Sequence, residues 1–227
     1  EAGSGDRALV FIPGWTMPAE IWREQIPYFS ARGFRVLAPD PRSHGQTTKT
    51  EAGNTYYQQA ADLHAFLQSL KVGHSSLVGW GSGVTALLEY ISSPETFKPE
   101  KMVFVDGLPT AFKTEDNPNA MAVLQARTLL LGFQEDRAKT TDKLVRSLFK
   151  TRQPEYLVKE LVDSSLKTPM GAAASLYFDL FTGDRRPALA RVGVPNLIMT
   201  SSDNRAAGEF MKSKIPRSSL EVMEGVG

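Results

Sequence analysis

The sequence predicts an α/β fold with a mostly parallel, doubly wound sheet. Short apolar segments alternate along the chain with longer segments of helical periodicity. Alternation of this kind places helices on both faces of a parallel sheet. Between Leu108 and about Arg191 the alternation stops and only helical segments remain. We therefore expect a helical cap, inserted after the fourth strand, over the sheet edge where ligands bind in such folds.

Six segments are predicted as strands from their short apolar runs and the turn residues that follow them: 8–12, 34–38, 75–79, 102–105, 196–200 and 220–223. Helical spacing predicts helices at 21–29, 56–70, 84–91 and 205–214, and within the cap at 119–131, 141–149, 155–166 and 171–181. These elements indicate a single domain, with a core of residues 1–107 and 192–227 and a cap of about 108–191.

Composition excludes several classes of protein. The formal charge is +1 and no basic run is present, which argues against a nucleic-acid partner. No apolar run approaches the roughly 20 residues that span a bilayer. The chain has no cysteine and three histidines, so we expect neither a disulfide nor a metal site, and no cofactor. The compartment stays open, with the cytoplasm favoured over export.

The segment 77–90, LVGWGSGVTALLEY, passes from a strand into a helix through Gly79, Gly81 and Gly83. A dinucleotide-binding G-x-G-x-x-G loop would need glycine where Val84 stands. The segment fits better as a nucleophile elbow, G-x-S-x-G, in which flanking glycines allow a strained turn at the end of the strand. Gly79 and Gly83 are then the flanking glycines, and Gly81 occupies the place of the nucleophilic serine.

Three further segments carry a family resemblance: 11–15, FIPGW; 40–45, DPRSHG; and 196–203, NLIMTSSD. Together with the elbow, in this order and spacing, they resemble the α/β-hydrolase superfamily, especially its esterase and cofactor-free haloperoxidase-like branch. Pro13 and Ser43 stand where the family has histidine and glycine. The resemblance implies a serine hydrolase with a small apolar carboxylic ester, lactone or related acyl compound as its substrate.

The resemblance also implies the site. Position 81 would carry the nucleophile, Asp203 would be the acid with Asp106 as the second candidate, and the backbone N–H groups of Trp15 and Ser82 would form the oxyanion hole. The substrate pocket is expected to be apolar and to include Gly14, Trp15, Trp80, Phe133 and Phe178.

The catalytic base is not among the three histidines. His44 lies in a segment where the family histidine is structural, His64 lies within a helix, and His74 precedes the elbow strand. We expect the base histidine to follow Gly227 and an N-terminal hairpin to precede Glu1, so that this sequence is an excerpt of a longer chain.

Several alternatives stay open. Ser82 could replace the missing nucleophile, although its side chain should point away from the elbow tip. Trp80-Gly81 could instead align with the Asp-Trp-Gly of haloalkane dehalogenases, with Gly79 in place of aspartate. Gly81 could be natural or an engineered substitution, and the rest of the elbow favours engineering. The chain is expected to bind its substrate without turning it over.

Alternative functions are a non-catalytic ligand-binding protein and a cofactor-independent dioxygenase or lyase on the same fold. The expected partner is a small-molecule acyl substrate, and the sequence also allows a homodimer.

Overall fold

The computed structural model describes residues 1–115 and 120–226. Within these residues six strands form one sheet in the order β2-β1-β3-β4-β5-β6, and every neighbouring pair is parallel. The strands are β1 (Ala8–Ile12), β2 (Arg35–Leu37), β3 (Ser75–Trp80), β4 (Lys101–Val105), β5 (Asn196–Ser201) and β6 (Ser218–Met223). The predicted mostly parallel sheet is confirmed, and each predicted strand overlaps an observed one.

The helices are α1 (Gln25–Ser30), α2 (Tyr56–Ser69), α3 (Ser82–Ser92), α4 (Val123–Glu135), α5 (Arg137–Ser147), α6 (Glu155–Leu166), α7 (Met170–Thr182), α8 (Arg186–Leu189) and α9 (Arg205–Lys214). The single helix predicted at 21–29 is instead a short 3-10 turn, Ala19–Trp22, followed by α1. The helix predicted at 119–131 is shifted to α4, and its first predicted residue lies outside the described residues.

Side chains of each strand alternate between the two faces of the sheet, as the two-residue repeat requires. In β1, Val10 and Ile12 join the larger core beneath α2, α3 and α9, whereas Leu9 and Phe11 pack with Trp22 on the α1 face. All five residues of β1 are buried. This explains why the strand reads as a continuous apolar run rather than as an alternating one.

The cap consists of α4–α7, which lie between β4 and β5 in the chain. Two apolar clusters attach it to the core. One joins Met17 to Val145, Val158 and Leu161 of α5 and α6. The other contains Ala126, Tyr177 and Phe181 of α4 and α7, with Trp15 packed against them.

A buried arginine also connects the cap to the core. The Arg185 side chain is 7% exposed, and its guanidinium lies 2.8 Å from Glu89 Oε1 of α3 and 2.7 Å from Asp179 Oδ1 of α7. The second oxygen of Asp179 accepts a hydrogen bond from the Tyr56 backbone N–H at the start of α2, at 2.7 Å. One ion-pair network therefore fixes α2, α3 and α7 relative to one another.

We expect Arg185→Ala to lower the free energy of unfolding by about 3 kcal/mol, because it leaves two partly buried carboxylates without their cation. Urea denaturation followed by tryptophan fluorescence measures the change. Lys159→Ala is the control, since the Lys159–Asp163 pair is exposed and should contribute less than about 0.5 kcal/mol. Equal losses in the two variants would contradict the role of the buried network.

Candidate active site

The turn between β3 and α3 has the backbone of a nucleophile elbow. Gly81 adopts φ 56° and ψ −122° and is the residue that caps α3. Its N–H donates to Val105 O of β4 at 2.9 Å. A side chain at φ +56° is strained, because the Cβ crowds the neighbouring backbone. Glycine avoids that cost, whereas the family pattern places serine here.

The two flanking glycines are required by close approach of the backbone. A Cβ at Gly79 would lie 2.8 Å from the carbonyl carbon of Gly83, and a Cβ at Gly83 would lie 2.5 Å from Ile12 O. The start of α3 therefore packs directly on β1 and β3 with no room for a methyl group. This contact determines where the tip of the turn stands.

Position 81 itself has space for a side chain. A Cβ built on Gly81 meets one atom within 4 Å, the Cα of Gly14, at 3.8 Å. The strain at this position therefore comes from the backbone conformation and not from a neighbouring group. A serine hydroxymethyl group would point into open space beside the segment that follows β1.

The two predicted oxyanion donors are free. Among the described residues, no acceptor is found for the backbone N–H of Trp15 or of Ser82. Ser82 is the first residue of α3, so its N–H lies at the positive end of the helix dipole. Unpaired N–H groups beside a helix N-terminus are suited to stabilising a negatively charged oxygen.

His44 is buried and supports the segment that follows β1. Its Nε2 accepts a hydrogen bond from the Thr16 backbone N–H at 3.1 Å, and its Nδ1 lies 2.7 Å from Arg42 O. The ring is therefore the neutral tautomer with its proton on Nδ1, because Nε2 must accept. Burial lowers the pKa of His44 below its ordinary value of 6.5.

The other two histidines lie elsewhere. The His64 ring packs against Phe97, with 4.7 Å between ring centroids, and His74 Nδ1 lies 2.8 Å from Glu100 on the exposed surface. Neither histidine lines the cavity at Gly81.

The two candidate acids differ in their surroundings. Asp106 Oδ1 accepts three hydrogen bonds, each 3.0 Å long, from the Ser201 N–H, the Ser201 hydroxyl and the Asn204 amide. Asp106 thus links the end of β4 to the end of β5. The side chain of Asp203 is 70% exposed and has an ion pair with Lys150 Nζ at 2.5 Å. The Asp203 carboxylate is the more accessible of the two.

A cavity of about 350 Å³ lies beside the turn. Its lining combines apolar and polar side chains: Trp80, Gly81, Asp106, Ser147, Leu148, Phe149, Lys150, Ser201, Asp203 and Asn204. The pocket was expected to be apolar. Instead, the connection from α5 to α6 places Lys150 in the wall of the pocket, and the end of β5 places polar residues there. The lining is therefore more polar than the sequence predicted.

Four of the predicted pocket residues lie near one another, and the fifth does not. Trp80 lines the cavity. Gly14 faces position 81, Trp15 follows it in the chain, and Phe133 lies edge-on to the Trp15 ring at 5.0 Å. Phe178, in contrast, is 69% exposed on the outer side of α7 and does not line the cavity. The helical spacing of α7 could not show which of its aromatic side chains faces inward.

Sequence analysis did not identify three residues of this region: Thr16, Ser165 and Lys150. Thr16 Oγ1 lies 2.7 Å from Ser165 Oγ of α6, and Lys150 pairs with Asp203. Each partner is separated from the other by more than fifty residues. No motif covers the cap residues, so only the folded chain brings these pairs together.

The neutral state of His44 gives a pH dependence. Its pKa is lower in the folded chain than in the unfolded chain, so the unfolded chain binds more protons as the pH falls. We expect full stability above about pH 6.5 and a loss below it of at most about 1.4 kcal/mol per pH unit. Urea denaturation at pH 7.5 and 5.5 measures this. His44→Gln should be less stable at pH 7.5 and should flatten the profile. An unchanged slope in His44→Gln would refute the assignment.

The described residues contain no cluster of three side chains able to hold a metal ion. Within the same ranges, no helix combines the length and hydropathy that a membrane span requires.

Comparisons with known proteins identify the family of the chain. A sequence model of the alpha/beta hydrolase family matches residues 9–227. A non-heme haloperoxidase of Rhodococcus erythropolis is 30% identical over 216 residues, which cover 89% of this chain and 76% of that protein.

Solved structures of other proteins share this fold. A bromoperoxidase from Bacillus anthracis superposes with a TM-score of 0.92 at 24% identity, covering 99% of this chain and 86% of that one. An esterase from Exiguobacterium antarcticum gives a TM-score of 0.93 at 23% identity, with 99% and 85% covered. The chain belongs to the α/β-hydrolase family, and its relatives include esterases and non-heme haloperoxidases.

Proposed function

We propose that this chain is a carboxylic ester hydrolase of the Ser-His-Asp type in which Gly81 occupies the nucleophile position. The supporting observation is the turn at Gly81, which keeps the left-handed backbone of the elbow, with open space where a serine side chain would stand. A glycine has no atom that can attack a carbonyl carbon. The chain with Gly81 therefore binds a small acyl compound and does not hydrolyse it through residue 81.

The proposed roles follow from position. A serine at 81 would attack the acyl carbon, and its proton would pass to a histidine base. The backbone N–H groups of Trp15 and Ser82 would stabilise the oxygen of the tetrahedral intermediate. We assign the acid to Asp203, because the Asp106 oxygen that accepts three hydrogen bonds already serves to hold the end of β5.

The cavity supports a small substrate. Its volume of about 350 Å³ is at the lower end of the range found for ligand pockets. Trp80, Leu148 and Phe149 offer an apolar wall for an acyl group, and the polar side chains on the other wall suit an alcohol or lactone oxygen. A short-chain ester or lactone combines both features.

A second candidate is a non-catalytic ligand-binding protein of the same fold. The observation that favours it is the Lys150–Asp203 ion pair, which occupies the carboxylate that would otherwise orient the base. A cofactor-independent dioxygenase or lyase is the third possibility, and activity that persists with Gly81 would support it.

We expect Gly81→Ser, in the full chain, to hydrolyse p-nitrophenyl acetate and short lactones with an initial burst of product. Gly81→Ala is the matched control, because it adds the same Cβ without a nucleophile. Stopped-flow absorbance measures the burst. Absence of turnover by the serine variant, together with tight ligand binding by the glycine form, would replace the hydrolase proposal with the ligand-binding one.

The same substitutions should change stability. We expect Gly81→Ser and Gly81→Ala each to lower the free energy of unfolding by about 1–3 kcal/mol, because a Cβ at this φ is strained whatever the space around it. Urea denaturation measures the change. Gly171→Ala is the control, since Gly171 lies near the start of α7 with no atom near its Cβ position, and should not be destabilising. A neutral or stabilising effect at position 81 would show that the turn relaxes.

A further inference from the structure

The residues that follow β1 are held mainly by the cap. Trp15 lies between α4 and α7: its ring is 5.0 Å from Phe133 and 5.3 Å from Tyr177, centroid to centroid. Its indole N–H donates to Ala173 O of α7 at 3.0 Å. Both the ring contacts and the hydrogen bond of this side chain are therefore made with cap residues.

Met17, two residues later, makes the corresponding contact with the other half of the cap. Its side chain is 2% exposed and packs with Val145 of α5 and with Val158 and Leu161 of α6. The segment Gly14–Met17 thus passes between two apolar clusters of the cap.

Thr16, between them, is in a strained conformation. Its φ is +60°, which is rare for a β-branched residue and persists only where the surroundings enforce it. The backbone N–H is fixed by His44, and the hydroxyl lies 2.7 Å both from Trp15 O and from Ser165 Oγ of α6. Since Trp15 O can only accept, Thr16 donates to it and Ser165 donates to Thr16. A chain of two hydrogen bonds thus runs from the cap to the Trp15 carbonyl.

We propose that Ser165 is a positioning residue for the oxyanion hole: through Thr16 it fixes the orientation of Trp15, whose N–H is one of the two donors. The role of that N–H rests on the proposed function, whereas the positioning of the segment by the cap does not. Ser165 does not touch the reacting atoms. It acts by keeping Thr16 and Trp15 in the conformation in which the Trp15 N–H points into the proposed oxyanion hole.

The cap then contributes to the geometry of the proposed oxyanion hole. Moving α6 and α7 away from the core would break the Ser165–Thr16 and Trp15–Ala173 hydrogen bonds together.

The first test uses the protein with Gly81, without any requirement for hydrolysis. Hydrogen exchange measured by NMR follows the Thr16 backbone N–H and the Trp15 indole N–H. The Trp15→Phe variant identifies the indole signal of Trp15 among those of the three tryptophans. Ser165→Ala should speed exchange at both sites by roughly 3- to 10-fold, the factor expected for loss of one net hydrogen bond. Ser164→Ala is the matched control, because Ser164 is also buried on α6 and has no hydrogen bond to Thr16. Equal exchange rates in the two variants would overturn the proposal.

The second test separates positioning from folding. In the Gly81→Ser background, Ser165→Ala and Thr16→Val should each lower kcat by roughly 10-fold with KM changed by less than about threefold, since the donor acts mainly in the transition state. Thr16→Ser should restore kcat, because it keeps the hydroxyl. A change in KM alone, or no rescue by Thr16→Ser, would refute positioning by the hydroxyl chain. A Gly81→Ser protein with no activity would refute the proposed function and leave the exchange result standing.

Discussion

The close contact between the start of α3 and the end of β1 is the constraint on which the site depends. Gly79 and Gly83 let the helix approach the strand backbone so closely that neither position has room for a Cβ. In the turn between them residue 81 has a positive φ, and a Cβ at that residue would lie 3.8 Å from the Gly14 Cα. The same contact leaves the N–H of Ser82 free at the helix terminus. The place of residue 81 and of one proposed oxyanion donor thus follows from packing between two backbones.

The second donor depends on a different part of the chain. The Trp15 N–H, the second proposed donor, belongs to a segment whose side chains pack against the cap and whose backbone is strained at Thr16. A strained conformation in a loop is stable only if several contacts hold it at once. His44 supplies one from the core, and Ser165 and Ala173 supply two from the cap. Both proposed oxyanion donors therefore belong to the core, and contacts from the core and the cap together hold the segment that carries the Trp15 donor.

Much of this arrangement could be predicted from the sequence. The apolar run of β1 and the glycine spacing around Gly81 indicate the parallel sheet and the elbow. Both patterns can be recognised because each depends on the local structure of its own segment. The contacts of the cap could not be predicted, since Ser165 and Thr16 lie in no motif and meet only through the packing of α6. The same limit explains Phe178, which shares helical spacing with inward-facing residues of α7 but faces solvent.

The network around Arg185 has a kinetic consequence. It joins α3 to α7 across more than ninety residues of sequence, and it fixes the first N–H of α2 through Asp179. Contacts between such distant segments form late, because the entropy of closing the long intervening loop must first be overcome. Strands β1 to β4 pair through segments that are closer in the chain, whereas the Arg185 network needs the cap segment in place. Docking of this part of the cap on α3 should therefore be among the later events of folding.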